Sequence, residues 1–346
     1  MSLLHLPKVA VVVLSWNGKK FLQQFLPSLL QTTYSNTHFY VADNCSTDDS
    51  VAYIKEHFPT VNIIQIPQNE GFANGYNTAL QQVEADIYVL LNQDVEVTPN
   101  WIEPVVKMFS ENSNLAVVQP KIKDFKNKDY FEYAGAAGGF VDWLGYPFCR
   151  GRIFDTVEKD NAQYNNDIEI FWASGACLFI NSKVYHELGG LDADFFAHME
   201  EIDLCWRVKN AGYKIQYCGQ STVYHVGGGS LPYGNPKKTY LNFRNNLIMM
   251  IKNNHSNAFW LILFLRMVLD GISAIKLLLE GKFSDFKAIF SAHIYLYANF
   301  SNSLRKRKLA ITMSKTHAQE GVYAKSIVWQ YFIKGNKTFA ELISIK

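Results

Sequence analysis

The chain is short of the features that define several large protein classes. Its five cysteines (Cys45, Cys149, Cys177, Cys205 and Cys218) are an odd number with no C-x-x-C spacing, so neither a disulfide framework nor a zinc site is indicated and a reducing compartment fits. Its eight-residue apolar run, "AFWLILFL" at 258–265, is well under the roughly 20 residues that cross a bilayer. One lysine precedes "VAVVVL" at the N-terminus, without a small-residue cleavage pattern, so a cytoplasmic protein is expected. No G-x-G-x-x-G follows that apolar run and no G-x-x-x-x-G-K-[ST] occurs anywhere, which weakens the dinucleotide and P-loop readings. Charged residues make up only 18% of the chain against 48% hydrophobic, a composition that builds a core and excludes disorder.

What the chain does have is alternation. "VAVVVL" (9–14), "HFYVA" (38–42), "VNIIQI" (61–66), "DIYVLL" (86–91) and "LAVVQ" (115–119) read as strands, separated by stretches of helical spacing. Near-continuous apolar strands between helices predict a parallel sheet covered on both faces, with ligands beyond the carboxyl ends of its strands. Polar residues gather at those ends: "SWNG", "DNCSTDDS", "PQNEGFANGYN" and "NQDVEV". Each has the composition of an ordinary turn or helix cap; all four project to one edge. The segment 121–168 lacks periodicity. Beyond it "GACLFIN" reads as a strand, "EEIDLCWRVKNAG" as a helix ending at Gly212, and "YKIQY" and "STVYHV" as a further pair of strands.

Candidate chemistry follows from position. Asp43 ends the second strand, where an acid accepts hydrogen bonds from a ribose or base. Asp94 ends a buried strand, a costly place for a carboxylate unless paired or metal-bound, and one or two carboxylates suffice to hold Mg2+ or Mn2+ on a diphosphate. His225 ends another strand before the glycines of "VGGGS", with ligand and structural roles both open. Glu200, Glu201 and Asp203 open a helix, where the dipole favours acids and where a group-transfer enzyme could place its base.

These motifs, in this order, together with "YLNFRNNLIMMIKNN" (240–254), resemble the bacterial non-processive, rhamnosyltransferase-like members of glycosyltransferase family 2 over about residues 8–255. The resemblance implies an α/β GT-A fold, Rossmann-like with a mostly parallel central sheet, a divalent cation (Mg2+ or Mn2+), and inversion at the anomeric carbon. It implies a TDP- or UDP-linked sugar donor, a glycan or lipid-linked glycan acceptor, and no nucleic-acid partner. By the resemblance Ser15, Asn17, Asp43, Asn69, Phe72, Asn77 and Asn92 look like the nucleotide-sugar site, and Asp94 with His225 like the metal site. Glu201 looks like the base, with Glu200 as the fallback, while Trp172 and Asp203 look like acceptor contacts. Asn92 stands where a stricter D-x-D has its first acid, and Glu201 where the family usually has Asp. A non-catalytic subunit that keeps the fold without turnover is the alternative.

The chain divides on this reading into a donor half (1–120), an acceptor and catalytic half (121–256) and a helical extension (257–346). Beyond residue 300 nine lysines and arginines face two glutamates, a net +7 that leaves residues 1–300 at about −5 within an overall +2. From Arg266 onward, at helical spacing, Arg266, Asp270, Ser273, Lys276 and Glu280 share one narrow stripe, with leucines and isoleucines around most of the rest. So broad an apolar face needs a core, a partner or a membrane interface. The aromatic-rich "IYLYANF" and "IVWQYFI" favour an anionic membrane surface, hence a peripheral protein on the inner face of the cytoplasmic membrane.

Overall fold

The computed structural model describes residues 6–227 and 235–344; most of the glycine segment after His225 lies outside them. In the first part of the chain β1 (Val9–Ser15), α1 (Lys19–Leu29), β2 (Thr37–Asp43), α2 (Ser50–His57), β3 (Asn62–Gln65), α3 (Gly71–Leu80) and β4 (Ile87–Asn92) alternate as expected. After β5 (Val95–Val97) and α4 (Glu103–Glu111) comes the long β6 (Leu115–Asp124). The aperiodic middle forms the short strands β7 (Gly139–Asp142), β8 (Pro147–Cys149), β9 (Arg152–Ile153) and β10 (Thr156–Val157). Then follow β11 (Ile168–Glu169), β12 (Cys177–Asn181), α5 (Ser182–Glu187), α6 (Glu200–Asn210) and β13 (Lys214–His225). The remainder is α7 (Pro236–Asn253), α8 (Phe259–Leu279), α9 (Phe283–Ala298), α10 (Phe300–Met313), β14 (Val322–Tyr323), α11 (Ile327–Phe332) and α12 (Phe339–Ser344).

The main sheet runs β11-β13-β6-β12-β4-β1-β2-β3, with β5 paired to β13. From β4 to β3 it is parallel, as the apolar strands predict, and β1 is buried along almost its whole length. β12 is antiparallel to both β4 and β6, so the sheet is mixed where the halves join. The two strands expected over 213–226 are one, β13, which follows β6 in parallel through a register shift between Cys218 and Thr222. Apolar cores lie on both faces, one around Leu22, Leu26, Trp101 and Phe179, the other around Tyr76, Tyr88 and Phe195. Helix α1 shows why: Leu22, Phe25, Leu26 and Leu29 recur every three or four residues and all are buried.

Two expectations change. Helix α3, one of the helical stretches expected between the strands, starts earlier than its spacing suggests, at Gly71, so it takes in most of "NEGFANGYN". Its glycines and asparagines argue against a helix by propensity, yet Gly71 is needed at φ +73°, where a Cβ would fall 2.6 Å from the Phe196 ring. The helical extension is also tied to the middle of the chain. Its β14 pairs with β7 in a second sheet, and the Ile327 N–H at the start of α11 donates to buried Asp142 at 2.9 Å.

Candidate active site

The carboxyl ends of β1, β2 and β4 meet as the alternation predicts. Asn17, at φ +49°, joins two loops: its N–H donates to Ser46 Oγ at 2.9 Å and its side-chain oxygen accepts from Thr47 N–H at 2.7 Å. Ser15 Oγ donates to Gln93 Oε1 at 2.8 Å, and the Trp16 N–H reaches the same oxygen at 3.3 Å. Asp43 is buried; Oδ2 accepts weakly from Ser46 N–H at 3.3 Å, while Oδ1 has no partner. A buried carboxylate oxygen left open costs free energy unless a ligand satisfies it. Asn69 accepts from Gly71 N–H and from Asn44, which also donates to Gly71 O and accepts from Glu70 N–H.

Asp94 sits in the turn between β4 and β5. Because β5 pairs with the end of β13, opposing His225 to Val95, the histidine is carried to the carboxylate. His225 Nε2 lies 3.3 Å from Asp94 Oδ1 and 3.4 Å from the Asn92 amide, and Nδ1 lies 3.4 Å from Glu132 Oε2. Burial opposes a charge on the ring, but Glu132 and Asp94 together push the imidazolium pKa up to about 10. Glu132 arrives because its N–H bonds back to Ile122 O on β6; it also accepts from Ala134 N–H. An open pocket of about 530 Å3, lined in part by Tyr130, Glu132, Tyr133 and Gly227, adjoins this group.

The donor set suits a hard divalent cation. Asp94 supplies an oxygen, His225 a nitrogen once its proton is lost, and no cluster of three or more acid, histidine or cysteine ligands occurs among the described residues. Remaining positions would fall to phosphate oxygens and water, the usual arrangement for Mg2+.

The acids of α6 separate by environment. Burial, then Glu201 beside it, raises Glu200 well above the ordinary carboxyl range. Glu201 is less enclosed; burial lifts it to about 6, opposed by backbone N–H groups including its own and that of Gly175. It is therefore ionised at pH 7 yet basic enough to take a proton, and Oε2 is buried without a partner. A Cβ on Gly175 would lie 3.2 Å from the Phe72 ring and 3.8 Å from Glu201 Cβ. The next residue, Ala176, accepts from Asn92 N–H, so Glu201, Phe72 and the end of β4 share one neighbourhood.

The turn leading into α6 is strained: Phe196, His198 and Met199 all have positive φ, at 63°, 70° and 72°. Such residues cost about 1–3 kcal/mol each and persist only when the surroundings hold them. Here Asn245 does so, donating its amide to the carbonyls of Phe195, Ala197 and His198 at 3.0, 2.9 and 2.7 Å. Arg244 donates to Asp194 O and Phe195 O, and Phe196 O in turn accepts from Phe72 N–H. The "RN" of "YLNFRNN" thus fixes the approach to the two glutamates.

Three expected contacts are corrected. Trp172 is buried, with its indole N–H given to Phe140 O and its ring against Gly139, so it belongs to the core. Asp203 is fully buried and takes Arg207, Lys252 and Asn253 at 2.7–2.9 Å, which makes it an anchor for α7. The Asn77 amide bonds Leu191 O, Leu191 N–H and the Tyr185 hydroxyl, which commits it to stapling α3. Glu132, Gln93, Asn44 and Asn245 were not singled out from the sequence. Asn44 adjoins Asp43 and Gln93 adjoins Asp94, whereas Glu132 lies in the aperiodic middle with no motif to mark it.

Comparison with known proteins agrees with this geometry. The sequence model described as "Glycosyl transferase family 2" matches residues 10–189, more than half of the chain. An N-acetylglucosaminyl-diphospho-decaprenol L-rhamnosyltransferase of Mycobacterium tuberculosis is 25% identical over 233 residues, 62% of this chain and 75% of that protein. Among solved structures, GalNAc-T7 with UDP, GalNAc and Mn2+ superposes with a TM-score of 0.57 at 18% identity, over 72% of this chain and 48% of that one. Staphylococcus aureus TarS 1–349 with UDP-GlcNAc superposes at 0.54 with 14% identity, over 88% and 90%.

Proposed function

Since the chain belongs to glycosyltransferase family 2 and has the GT-A fold, we propose that it inverts the anomeric centre of its donor in a single metal-assisted displacement. That it is a glycosyltransferase using a nucleotide sugar follows from the family, and the non-catalytic alternative is set aside. The observation that carries the mechanism is the buried, unpartnered Oε2 of Glu201 at the start of α6, in one neighbourhood with Phe72 and the end of β4. Glu201 accepts the proton of an acceptor hydroxyl, that oxygen forms the new bond to the anomeric carbon, and the bond from that carbon to the diphosphate oxygen breaks.

Asp43, with its open oxygen, takes a hydroxyl or N–H of the nucleoside, and the loops joined by Asn17 and Ser15 frame it. Phe72 walls the space beside Glu201. A divalent cation held by Asp94, and by His225 once deprotonated, would neutralise charge on the departing diphosphate.

The donor is TDP- or UDP-linked, with rhamnose the favoured sugar, and the acceptor is a hydroxyl of a glycan on a lipid carrier in cell-surface polysaccharide assembly. The mycobacterial relative's printed name, a transferase acting on a decaprenol-linked sugar, supports this. Such an acceptor implies a peripheral position on the inner face of the cytoplasmic membrane. Calorimetric titration with UDP, TDP, GDP and CDP, each with and without Mn2+, tests the site. Metal-dependent binding of one nucleotide that is lost in Asp94→Ala is expected; equal binding without metal, or in the variant, contradicts the metal assignment.

A further inference from the structure

Helix α8 buries two charges at the start of its polar stripe. Arg266 and Asp270 point inward, with Arg266 Nε donating to Asp270 Oδ1 at 2.9 Å and Nη1 to Asn246 Oδ1 at 2.6 Å, while Lys276 and Glu280 at its end are exposed. The Arg266 guanidinium lies 3.6 Å from the Tyr146 ring centre, and His293 of α9 faces the other oxygen of Asp270 at 3.4 Å. The opposite face carries Leu261, Phe264, Val268, Ile272, Ile275 and Leu279, all exposed, with Leu279 at 83%. Helix α9 packs alongside and repeats the pattern, burying Ile289, Ala292 and Leu296 and exposing Phe283, Phe290, Ile294 and Tyr297.

The apolar face continues onto α11, whose Phe332 is capped by Lys276 at 5.2 Å and whose Trp329 is half exposed. At the other end Trp260 lies 6.3 Å from Phe300 of α10. An apolar surface of this extent on a folded protein marks a contact site. No helix of the described residues is long and apolar enough to cross a membrane, so the face would lie along an interface.

We propose that the outer face of α8, α9 and α11 seats the protein on an anionic membrane surface, sinking its leucines, isoleucines and phenylalanines into the acyl boundary with Trp260 and Trp329 at headgroup level. Charge selects this occupant. Lys282, Lys287, Arg305, Lys308 and Lys334 are exposed on or around the face. Of the three acids between Phe259 and Met313, Asp270 is buried, Asp285 accepts from Thr239, and Glu280 is paired with Lys276 and Lys282. A second copy packed face to face would set these cations against one another, whereas anionic headgroups neutralise them. Part of the basic tail is excluded from this role. Lys306 is spent on Asp192 and Asp194, and Arg307 on the carbonyls of Ile251 and Asn254, which fastens α10 to the catalytic half.

This face gives the peripheral reading above its surface. The test is scored without donor or acceptor, so its failure leaves the transferase chemistry untouched. The intact chain is co-sedimented with phosphatidylcholine vesicles with and without phosphatidylglycerol, beside Phe264→Glu/Ile275→Glu and, as a milder change, Lys287→Glu. The expected result is binding to the anionic vesicles with a blue-shifted tryptophan emission. The double variant should weaken it by more than about tenfold, by loss of apolar burial, and Lys287→Glu by a smaller factor. Absence of binding by the intact chain, or binding unchanged in the double variant, overturns the proposal. So does a concentration-dependent dimer dispersed by the double variant, which would assign the face to a second copy.

Discussion

At the sheet edge, buried carboxylates keep oxygens with no partner: Asp43 Oδ1, Glu200 Oε2 and Glu201 Oε2. Around α7 and α8, buried charges are met from several sides, Asp203 by Arg207, Lys252 and Asn253, and Asp270 by Arg266, Tyr146 and His293. The two arrangements have opposite uses. The acids at the sheet edge have no cation beside them among the described residues and hold an unsatisfied potential that a nucleoside or an acceptor hydroxyl can meet, whereas Asp203 and Asp270 are held by buried cations and serve as fasteners. The outer surface completes the contrast, since α8, fastened from within, turns an apolar face to the outside.

The largest effect on stability should come from breaking a fastener. Asp203→Ala leaves Arg207 and Lys252 buried without their shared carboxylate and should cost about 3–5 kcal/mol, read as a shift in denaturant midpoint. Asp43→Asn, at an unpaired acid, should leave the midpoint almost unmoved while weakening nucleotide affinity. Equal destabilisation by both would erase the distinction.

A smaller loss, about 1–3 kcal/mol, should follow Asn245→Ala, which takes a donor from the carbonyls of Ala197 and His198 and leaves Phe195 O to Arg244. If Asn245 positions Glu201, kcat falls while donor KM changes little. Asn245→Asp, which accepts but cannot donate, should behave like the alanine variant rather than the parent. The smallest effect belongs to the outer face: Ile272→Glu should move stability by less than about 0.5 kcal/mol, because nothing in the folded chain packs on it. A large destabilisation there would mean that the exposed face is part of the protein's own core.

Much of the fold was legible because period and burial agree. Runs such as "VAVVVL" and "DIYVLL" are covered on both sides, and their polar termini do meet at one edge. The asparagine and glycine content of "NEGFANGYN" hid only the first turn of α3, since close packing against Phe196 overrides propensity at Gly71. Glu132 was hidden for another reason: it reaches His225 through a backbone ladder with β6 that leaves no periodic trace in 121–168. Asp203 and Asn77 sit within motifs that read as ligand-binding, and only their partners reveal them as fasteners. The stripe on α8 was read with the right residues, but its direction depends on the cluster formed with Tyr146, Asn246 and His293, which lie far away in sequence.

The central claim, that Glu201 is the base, is tested most directly by comparing the parent and Glu201→Gln in nucleotide affinity and in donor turnover across pH. The account predicts equal affinity, turnover in the parent that is lost as pH falls through about 6, and a fall of about 10²–10⁴-fold in the variant at neutral pH. A variant that turns over donor at the parental rate, with the acid limb still in place, would contradict it.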